Sequence, residues 1–239
     1  RGRRGGGGGR AAAAERRSGA ARHMSHLSPD DEADVHGEAA RAKTQDEHMS
    51  RTFFARIERG NNLTKIGSGS NPRDTAMLIA AQARACVDCP TLQVVGPQST
   101  NQALKAIAIA RTFLKESDDT DICVQPEFTH LEDGHTGILL HIRKKERRTS
   151  GEAEAQQLKV ASGTDSKVLG GAISAFAREG RRMVVIAIGA GSINAAIKGL
   201  AIARKNVEEE AIDLLCKPEF TEVNDGTTAL RMLLLVEQT

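Results

Sequence analysis

The chain contains no tryptophan and no tyrosine, and only six phenylalanines among its 239 residues. Proteins that hold single-stranded nucleic acid by stacking its bases on aromatic rings need several such side chains, so this mode of binding is nearly excluded. Four cysteines in a chain of this length do not indicate a disulfide-stabilised scaffold. No apolar run reaches the roughly 18 residues that a membrane-spanning helix needs. We therefore expect a soluble intracellular protein, cytoplasmic or organellar and not secreted, with no membrane partner.

The net charge of +2 is distributed unevenly along the chain. Residues 1–22 contain seven arginines and one glutamate, whereas residues 64–148 and 158–239 are each close to neutral. Residues 1–50 contain a single leucine and no phenylalanine or isoleucine. Such a segment cannot bury enough apolar surface to offset the entropy of ordering it. The sequence therefore predicts a disordered N-terminal extension over residues 1–62.

Three interpretations of this extension stay open. Its arginines can bind RNA electrostatically, and those nearest its start are Arg1, Arg3, Arg4 and Arg10. An acid-poor stretch that is rich in arginine and alanine is also typical of an organelle transit peptide. The third interpretation is an inert, solvated tail.

The rest of the sequence is an internal repeat, in which three pairs of segments match at offsets of 92 to 94 residues. The pairs are "TKIGSGS" (64–70) with "LKVASGT" (158–164), "GPQSTNQALKAIAIARTFL" (96–114) with "GAGSINAAIKGLAIARKNV" (189–207), and "PEFTHLEDGHT" (126–136) with "PEFTEVNDGTT" (218–228). We expect two domains, residues 63–147 and 158–239, joined by a polar linker over residues 148–157.

Each copy is predicted to form strand, helix, strand, helix, strand, strand. The apolar run "MVVIAI" is typical of a buried central strand. The helix before it is expected to present one apolar face, formed by Val168, Leu169, Ala172, Ile173 and Phe176. The helix after it is expected to bury Ile193, Ala196, Ile197, Leu200 and Ala201. This order predicts an α+β fold with both helices on one face of a small sheet.

Serines and glycines mark the expected ends of these elements. Ser192 is predicted to cap the second helix of the second copy, as Ser99 does in the first copy. Hairpins are predicted to close at Asp133-Gly134 and at Asn224-Asp225-Gly226.

The Gly-Ala-Gly at residues 189–191 follows a strand and opens a helix, as a dinucleotide-binding loop does. That loop needs a third glycine where this chain has Asn194, and the other copy has Gly96-Pro97-Gln98 in the corresponding place. It also needs an acid at the end of the next strand, whereas Asp213 lies at the start of one. We therefore predict no cofactor and interpret these glycines as allowing a tight strand-to-helix turn.

Metal and catalytic sites are not predicted. Cys86 and Cys89 have the spacing of a redox or zinc site, but no second pair or suitably spaced histidine follows. His130, His135 and His141 cluster in the first copy only, so we interpret them as exposed side chains. No Ser/His/Asp or paired-carboxylate arrangement recurs in both copies, and the sequence therefore favours a protein that is not an enzyme.

Three segments of the second copy carry a resemblance to a known family. "LKVASGTDSKVLGGAISAFAREG", "AIGAGSINAAIKGLAIARKNV" and "DLLCKPEFTEV" closely resemble the stage V sporulation protein S (SpoVS) family, whose small bacterial domains belong with the Alba-like nucleic-acid-binding folds. The resemblance spans residues 158–238. It covers residues 64–145 more loosely, because "GPQSTN" departs from the Gly-x-Gly loop.

The resemblance implies non-catalytic βαβαββ domains that bind RNA or DNA. Because Alba-like proteins pair as dimers, it also implies an intramolecular pseudo-dimer of the two copies. In such folds the loop after the first strand, the start of the second helix and the long hairpin face the nucleic acid. The residues of this chain in the first two places are Lys65, Ser68, Arg73 and Lys105 in the first copy, and Lys159, Ser162, Lys167, Gly189, Gly191 and Lys198 in the second.

The near-neutral charge of the two copies favours an alternative. Strong binding to a phosphate backbone needs clustered lysine and arginine, and only local patches or the arginine-rich extension can supply it here. The acidic runs at residues 115–121 and 207–213 are interpreted as solvated connectors. The alternative is a structural subunit that uses the same fold as a rigid adaptor between proteins in a large assembly, such as a ribosome or a cytoskeletal complex.

Overall fold

The computed structural model describes residues 62–85, 88–117, 120–146, 155–223 and 226–238. The first copy consists of β1 (Leu63–Ile66), α1 (Pro72–Arg84), β2 (Thr91–Val94), α2 (Gly96–Ser117), β3 (Thr120–His130) and β4 (Thr136–Glu146). The second consists of β5 (Gln156–Val160), α3 (Ser166–Arg178), β6 (Met183–Ala187), α4 (Gly189–Val207), β7 (Ile212–Val223) and β8 (Thr227–Gln238). The predicted repeat of an α+β unit is confirmed.

Several expectations concern residues outside this description. They are the N-terminal extension with Arg1, Arg3, Arg4 and Arg10, Cys86, most of the linker, and Asn224 and Asp225 of the second hairpin turn. Of the helices in the described ranges, none combines the length and the apolar character that crossing a bilayer requires.

Side-chain caps start the first helix of each copy. Asn71 Oδ1 accepts a hydrogen bond from Arg73 N (2.9 Å), and Pro72 occupies the first helical position of α1. Asp165 Oδ1 accepts from Lys167 N (2.7 Å) at the start of α3. Both caps satisfy backbone N–H groups that the helix itself cannot.

The strands of the described residues form one sheet in the order β1-β2-β4-β3-β7-β8-β6-β5. β1 and β2 are parallel, as are β5 and β6, and all the other neighbours are antiparallel. The two copies meet where Val124 of β3 pairs with Cys216 of β7. Since the order reads the same outward from this pair, the copies are related by an approximate twofold axis and form the expected pseudo-dimer.

The core lies between the helices and one face of the sheet. All five residues that were expected to be buried in α4 are buried. The expected face of α3 is partly wrong, because Val168 is 73% exposed and the buried positions include Gly170 and Ser174. The helix is rotated so that Gly170 meets α4, since a residue without a side chain allows the two helices to approach closely.

The sheet is folded about the contact between β3 and β7. Lys145 and Glu237 lie beside Asp121 and Asp213, three residues from the central pair in opposite directions. Their backbones would be roughly 25 Å apart in a flat sheet, about 14 Å across the strands and about 20 Å along them. Lys145 Nζ of β4 nevertheless lies 2.5 Å from Glu237 Oε1 of β8. Cys123 and Leu215 alternate with the core residues and point away from α2 and α4, yet both are fully buried. The two halves of the sheet therefore approach each other on the face opposite α2 and α4.

Candidate nucleic-acid interface

Within each copy, the loops and helix starts that were predicted to bind nucleic acid meet at one end of the strands. The two sets lie at opposite ends of the sheet, because β2 and β6 run in opposite directions. Ile66 pairs with Val94 and Val160 pairs with Ala187, so the segments that follow these parallel strands are neighbours. Ile138 pairs with Val94, which places the turn of the first hairpin at the same end as the loops of the first copy. We call these two sets together the loop edge, which consists of residues 67–71 and 95–98 at one end of the sheet and residues 161–165 and 188–191 at the other.

Glycines with left-handed backbone make the strand-to-helix turns of the loop edge. Gly96 has φ +82° and Gly189 has φ +83°, in corresponding positions of the two copies. The predicted caps Ser99 and Ser192 are wrong, because both helices begin three residues earlier and these serines lie within the first turn. Ser99 Oγ donates to Val95 O (2.6 Å), and Ser192 Oγ donates to Ile188 O in the same way.

Replacing Gly189 by alanine is expected to destabilise the protein by about 1 kcal/mol, because a residue with a Cβ rarely adopts a left-handed φ. Urea unfolding measures this change. Gly163→Ala is the matched control, since a Cβ at Gly163 meets no atom within 4 Å and its φ lies outside the left-handed region. An equal loss of stability in both variants would contradict the assigned role of Gly189.

The loop after the first strand packs against the start of the second helix in each copy. A Cβ at Gly191 would lie 2.9 Å from Ser162 Cβ, so the absence of a side chain allows this approach. In the first copy Gln98 replaces this glycine, and Gln102 Nε2 donates to Ser68 O (3.2 Å) instead. Different residues therefore hold the same two segments together in the two copies.

The predicted cations are divided between the loop edge and the sides of the helices. Lys65 and Lys159 are exposed near the ends of their strands, and Arg73 and Lys167 are exposed at the second position of α1 and α3. Lys198, the tenth residue of α4, is exposed. It lies roughly 14 Å along the helix axis from Gly189, which is too far for one phosphate group to touch both. Lys105, the corresponding residue of α2, is only partly exposed.

The N-terminal turns of α2 and α4 lie close together across the pseudo-dimer. Thr100 Oγ1 donates a hydrogen bond to Asn194 Oδ1 (3.2 Å). Thr100 is the fifth residue of its helix and Asn194 the sixth. Helix N-termini carry partial positive charge and unpaired N–H groups. The two N-terminal ends are therefore neighbours at the interface between the copies.

Two arginine–aspartate pairs join the copies, and the sequence analysis missed them. Arg111 donates to both carboxylate oxygens of Asp121 (2.9 and 3.1 Å) and to Pro218 O of the other copy (2.8 Å). Arg204 repeats this arrangement with Asp213 (2.8 Å) and Pro126 O (2.6 Å). Each guanidinium group therefore bonds to a strand of both copies.

These pairs replace hydrogen bonds that the sheet cannot form between β3 and β7. Pro126 and Pro218 have no backbone N–H to donate. Ile122 N donates to Asp121 Oδ1, and Leu214 N donates to Asp213 Oδ1, both at 2.8 Å. The interpretation of residues 115–121 and 207–213 as solvated connectors is therefore wrong at their last residue, because both aspartates are buried. The sequence pattern that could have revealed these pairs is the arginine and the aspartate that match in both copies.

Charge partners differ between the two pairs. Lys217 Nζ also lies 2.7 Å from Asp121 Oδ2, whereas the residue bonded to Asp213 is Gln125, through its Nε2. Burial on its own raises the pKa of Asp121. The hydrogen bonds and charges of Arg111 and Lys217 outweigh burial and lower the pKa from 3.8 to about 2.

The cysteines and histidines of the described residues do not assemble into a metal site. Burial raises the pKa of Cys89 and Cys216, and raises that of Cys123 to about 11, so these thiols are protonated at neutral pH. His130 and His135 are exposed as expected, whereas His141 Nε2 lies 2.9 Å from Glu127 Oε2.

The sequence model of the stage V sporulation protein S family matches residues 62–145 and 156–237. These two matches coincide with the two structural copies and together cover well over half of the chain. The chain therefore belongs to the stage V sporulation protein S (SpoVS) family and carries the family's domain twice.

Proposed function

We propose that the chain binds nucleic acid, RNA in particular, through the loop edge and catalyses no reaction. The observation that carries this proposal is that each copy brings a helix start, a glycine turn and exposed cations together, and that the N-terminal ends of α2 and α4 are neighbours across the pseudo-dimer. Backbone N–H groups at helix starts and nearby lysines are the groups that contact phosphates in nucleic-acid complexes.

The pseudo-dimer favours an extended ligand over an isolated anion. Corresponding cations such as Lys65 and Lys159 lie on the opposite outer strands β1 and β5. A polymer with a regular series of phosphates can contact both copies at once, and two linked contacts strengthen each other through their effective concentration. The arginine-rich extension adds sequence-independent attraction in this proposal.

The double variant Lys167→Gln/Lys198→Gln is expected to weaken binding of a 20-nucleotide single-stranded RNA about tenfold. We call it the loop-edge variant, because its two lysines lie on the helices that start at the loop edge of the second copy. The slope of log affinity against log salt should fall by about 1.4, because two phosphate contacts are lost. Fluorescence anisotropy over a salt series measures both quantities, with duplex DNA as the comparison ligand. The charge-matched control is Lys115→Gln/Lys205→Gln, which alters the C-terminal halves of α2 and α4.

Equal affinities for the wild-type chain and the loop-edge variant, or no detectable binding at low salt, would contradict the proposal. A second function would then be favoured, that of an adaptor in a large assembly. Val95 and Ile188 support it, because these apolar side chains are about half exposed at corresponding positions of the loop edge. Stoichiometric co-purification with a ribosome or a cytoskeletal complex is its expected result.

A further inference from the structure

A second charged region is formed in each copy by the strand ends that lie away from that copy's part of the loop edge. A cleft of about 710 Å³ opens between the two copies. Its lining comprises Gly180–Arg182 before β6, residues 234–237 at the end of β8, Lys217 of β7, and Lys144 and Lys145 of the first copy. We call it the basic cleft. Because β6 runs from Met183 to Ala187, the basic cleft and the turn at Gly189 lie at opposite ends of this strand.

The lining of the basic cleft carries five cations and one acid. The acid, Glu237, is paired with Lys145. Lys217 lies against Asp121, which also receives the charge of Arg111. The cleft therefore keeps an excess of positive charge after its acids are counted, in a protein whose net charge is +2.

Arg181 is held in place at the rim of the cleft. Its guanidinium carbon lies 4.6 Å from the centre of the Phe176 ring. Its two terminal nitrogens donate to Glu179 Oε2 (3.1 Å) and to Gln156 Oε1 (2.7 Å). A guanidinium group with a fixed plane is preorganised to bind an oxyanion, because little side-chain entropy is lost on binding.

The fold does not by itself require this charge, because the residue that corresponds to each of these cations in the other copy is not a cation. The counterparts of Lys144, Lys145 and Lys217 are Val236, Glu237 and Gln125. The counterpart of the segment with the two arginines is residues 85–90, which contain one aspartate and no lysine or arginine. The two copies have the same backbone fold. The positive charge of the cleft therefore comes from side chains that differ between the copies, and the fold does not require it.

We propose that the basic cleft binds a ligand with several phosphate groups in series. Its volume is within the range of small-molecule sites, and lysine with arginine is the usual set of side chains around phosphate. An acidic peptide is less favoured. Peptides commonly bind an open strand edge, whereas β4, β6 and β8 each have a strand on both sides. The phosphates can come from a nucleic-acid backbone or from a free polyphosphate.

The test uses the full chain and two ligands, inorganic tripolyphosphate and a ten-nucleotide oligoribonucleotide, with binding measured by calorimetry at low salt. The double variant Lys144→Gln/Arg182→Gln alters the basic cleft. The loop-edge variant Lys167→Gln/Lys198→Gln also removes two positive charges, but outside the basic cleft. Each variant is therefore the control for the other. Thermal unfolding checks that both are folded, and Lys144→Gln alone is measured if the double variant is not.

Tripolyphosphate is expected to bind the wild-type chain and to bind the cleft variant at least tenfold more weakly, with less than a twofold change in the loop-edge variant. A parallel loss of oligoribonucleotide binding in the cleft variant would identify a nucleic-acid backbone as the source of the phosphates, and its retention would identify a free polyphosphate. Undetectable binding of tripolyphosphate to the wild-type chain, or equal binding by the cleft variant, would overturn the proposal. The proposed function would fail by a different result, namely RNA binding that is unchanged in the loop-edge variant.

Discussion

Replacing Arg111 by methionine is expected to destabilise the protein by about 3 kcal/mol, the lower end of the range for breaking a buried ion pair. The side chains of Arg111 and Asp121 are 6% and 8% exposed. The variant leaves the carboxylate buried and leaves Pro218 O without its donor. Lys217, 2.7 Å away, stays in place and limits the loss. Chemical denaturation at neutral pH measures the change in the free energy of unfolding.

The exposed pair of Arg178 and Glu210 is the matched control. Its atoms are as close, at 2.6 Å, and its arginine also lies on a helix, but the two side chains are 45% and 41% exposed. Exposed ion pairs contribute little to stability because solvent screens them, so Arg178→Met should destabilise the protein much less than Arg111→Met does. Equal losses from the two substitutions would show that burial of Asp121 is not what makes the pair important.

The pH dependence gives an independent check on Arg111→Met. The pKa of Asp121 is about 2 in the folded chain and 3.8 in the reference state, which corresponds to about 2 kcal/mol of stability. This stability is present above about pH 4 and is lost as the pH falls toward 2, because the lowered pKa belongs to the folded form. The variant lacks much of this contribution. The difference in the free energy of unfolding between wild type and variant should therefore narrow between about pH 4 and pH 2, and a constant difference would contradict the assignment.

The repeat made most of the fold predictable. Segments that match at offsets of 92 to 94 residues must form the same elements, so patterns that are weak in one copy support those in the other. The apolar stripe of α4 predicted its buried face because the 3.6-residue period is clear over its whole length. The first turn of α3 was harder, since Val168 fits an apolar stripe and yet is exposed.

The contacts between the copies were not predictable in the same way. A charged residue in an acidic run is usually solvated. Only the folded sheet shows that Asp121 and Asp213 bond to the interface arginines, at the place where prolines prevent hydrogen bonds between β3 and β7. The basic cleft depends on the fold of the sheet about Val124 and Cys216, because this fold brings Lys145 to Glu237. Neither arrangement follows from periodicity within one copy.

Fusion of the two copies in one chain allows their side chains to diverge while the interface is kept. In a dimer of identical chains, a substitution that adds charge to one half adds it to the other. Here the interface arginines Arg111 and Arg204 match, whereas Lys217 and Gln125 differ at corresponding positions of the same network. The loop edge and the basic cleft can therefore differ between the two halves without loss of the pseudo-dimer.

The glycines at the crossing of α3 and α4 give the second large effect. A Cβ at Gly170 would lie 2.7 Å from Ile202 Cγ2 and 3.0 Å from Gly199 O. Gly170→Ala should therefore destabilise the protein by about 1–3 kcal/mol, as overpacking of a core does, because the backbone of α4 cannot move aside as a flexible side chain can. Gly170→Val should cost more, since two further methyl groups enter the same contact.

Gly171 is the matched control, because it is the next residue of the same helix and a Cβ there meets no atom within 4 Å. Gly171→Ala should stabilise the chain by about 0.5–1 kcal/mol, since alanine favours the helix and restricts the unfolded chain. Two neighbouring glycine-to-alanine changes are thus expected to have opposite signs in urea unfolding. The first copy already has Ala76 and Ala106 at the positions that correspond to Gly170 and Gly199, both buried. The helix crossing of the first copy thus holds a Cβ at both positions, and a stabilising effect of Gly170→Ala would contradict the clash assigned to Gly170 in the second.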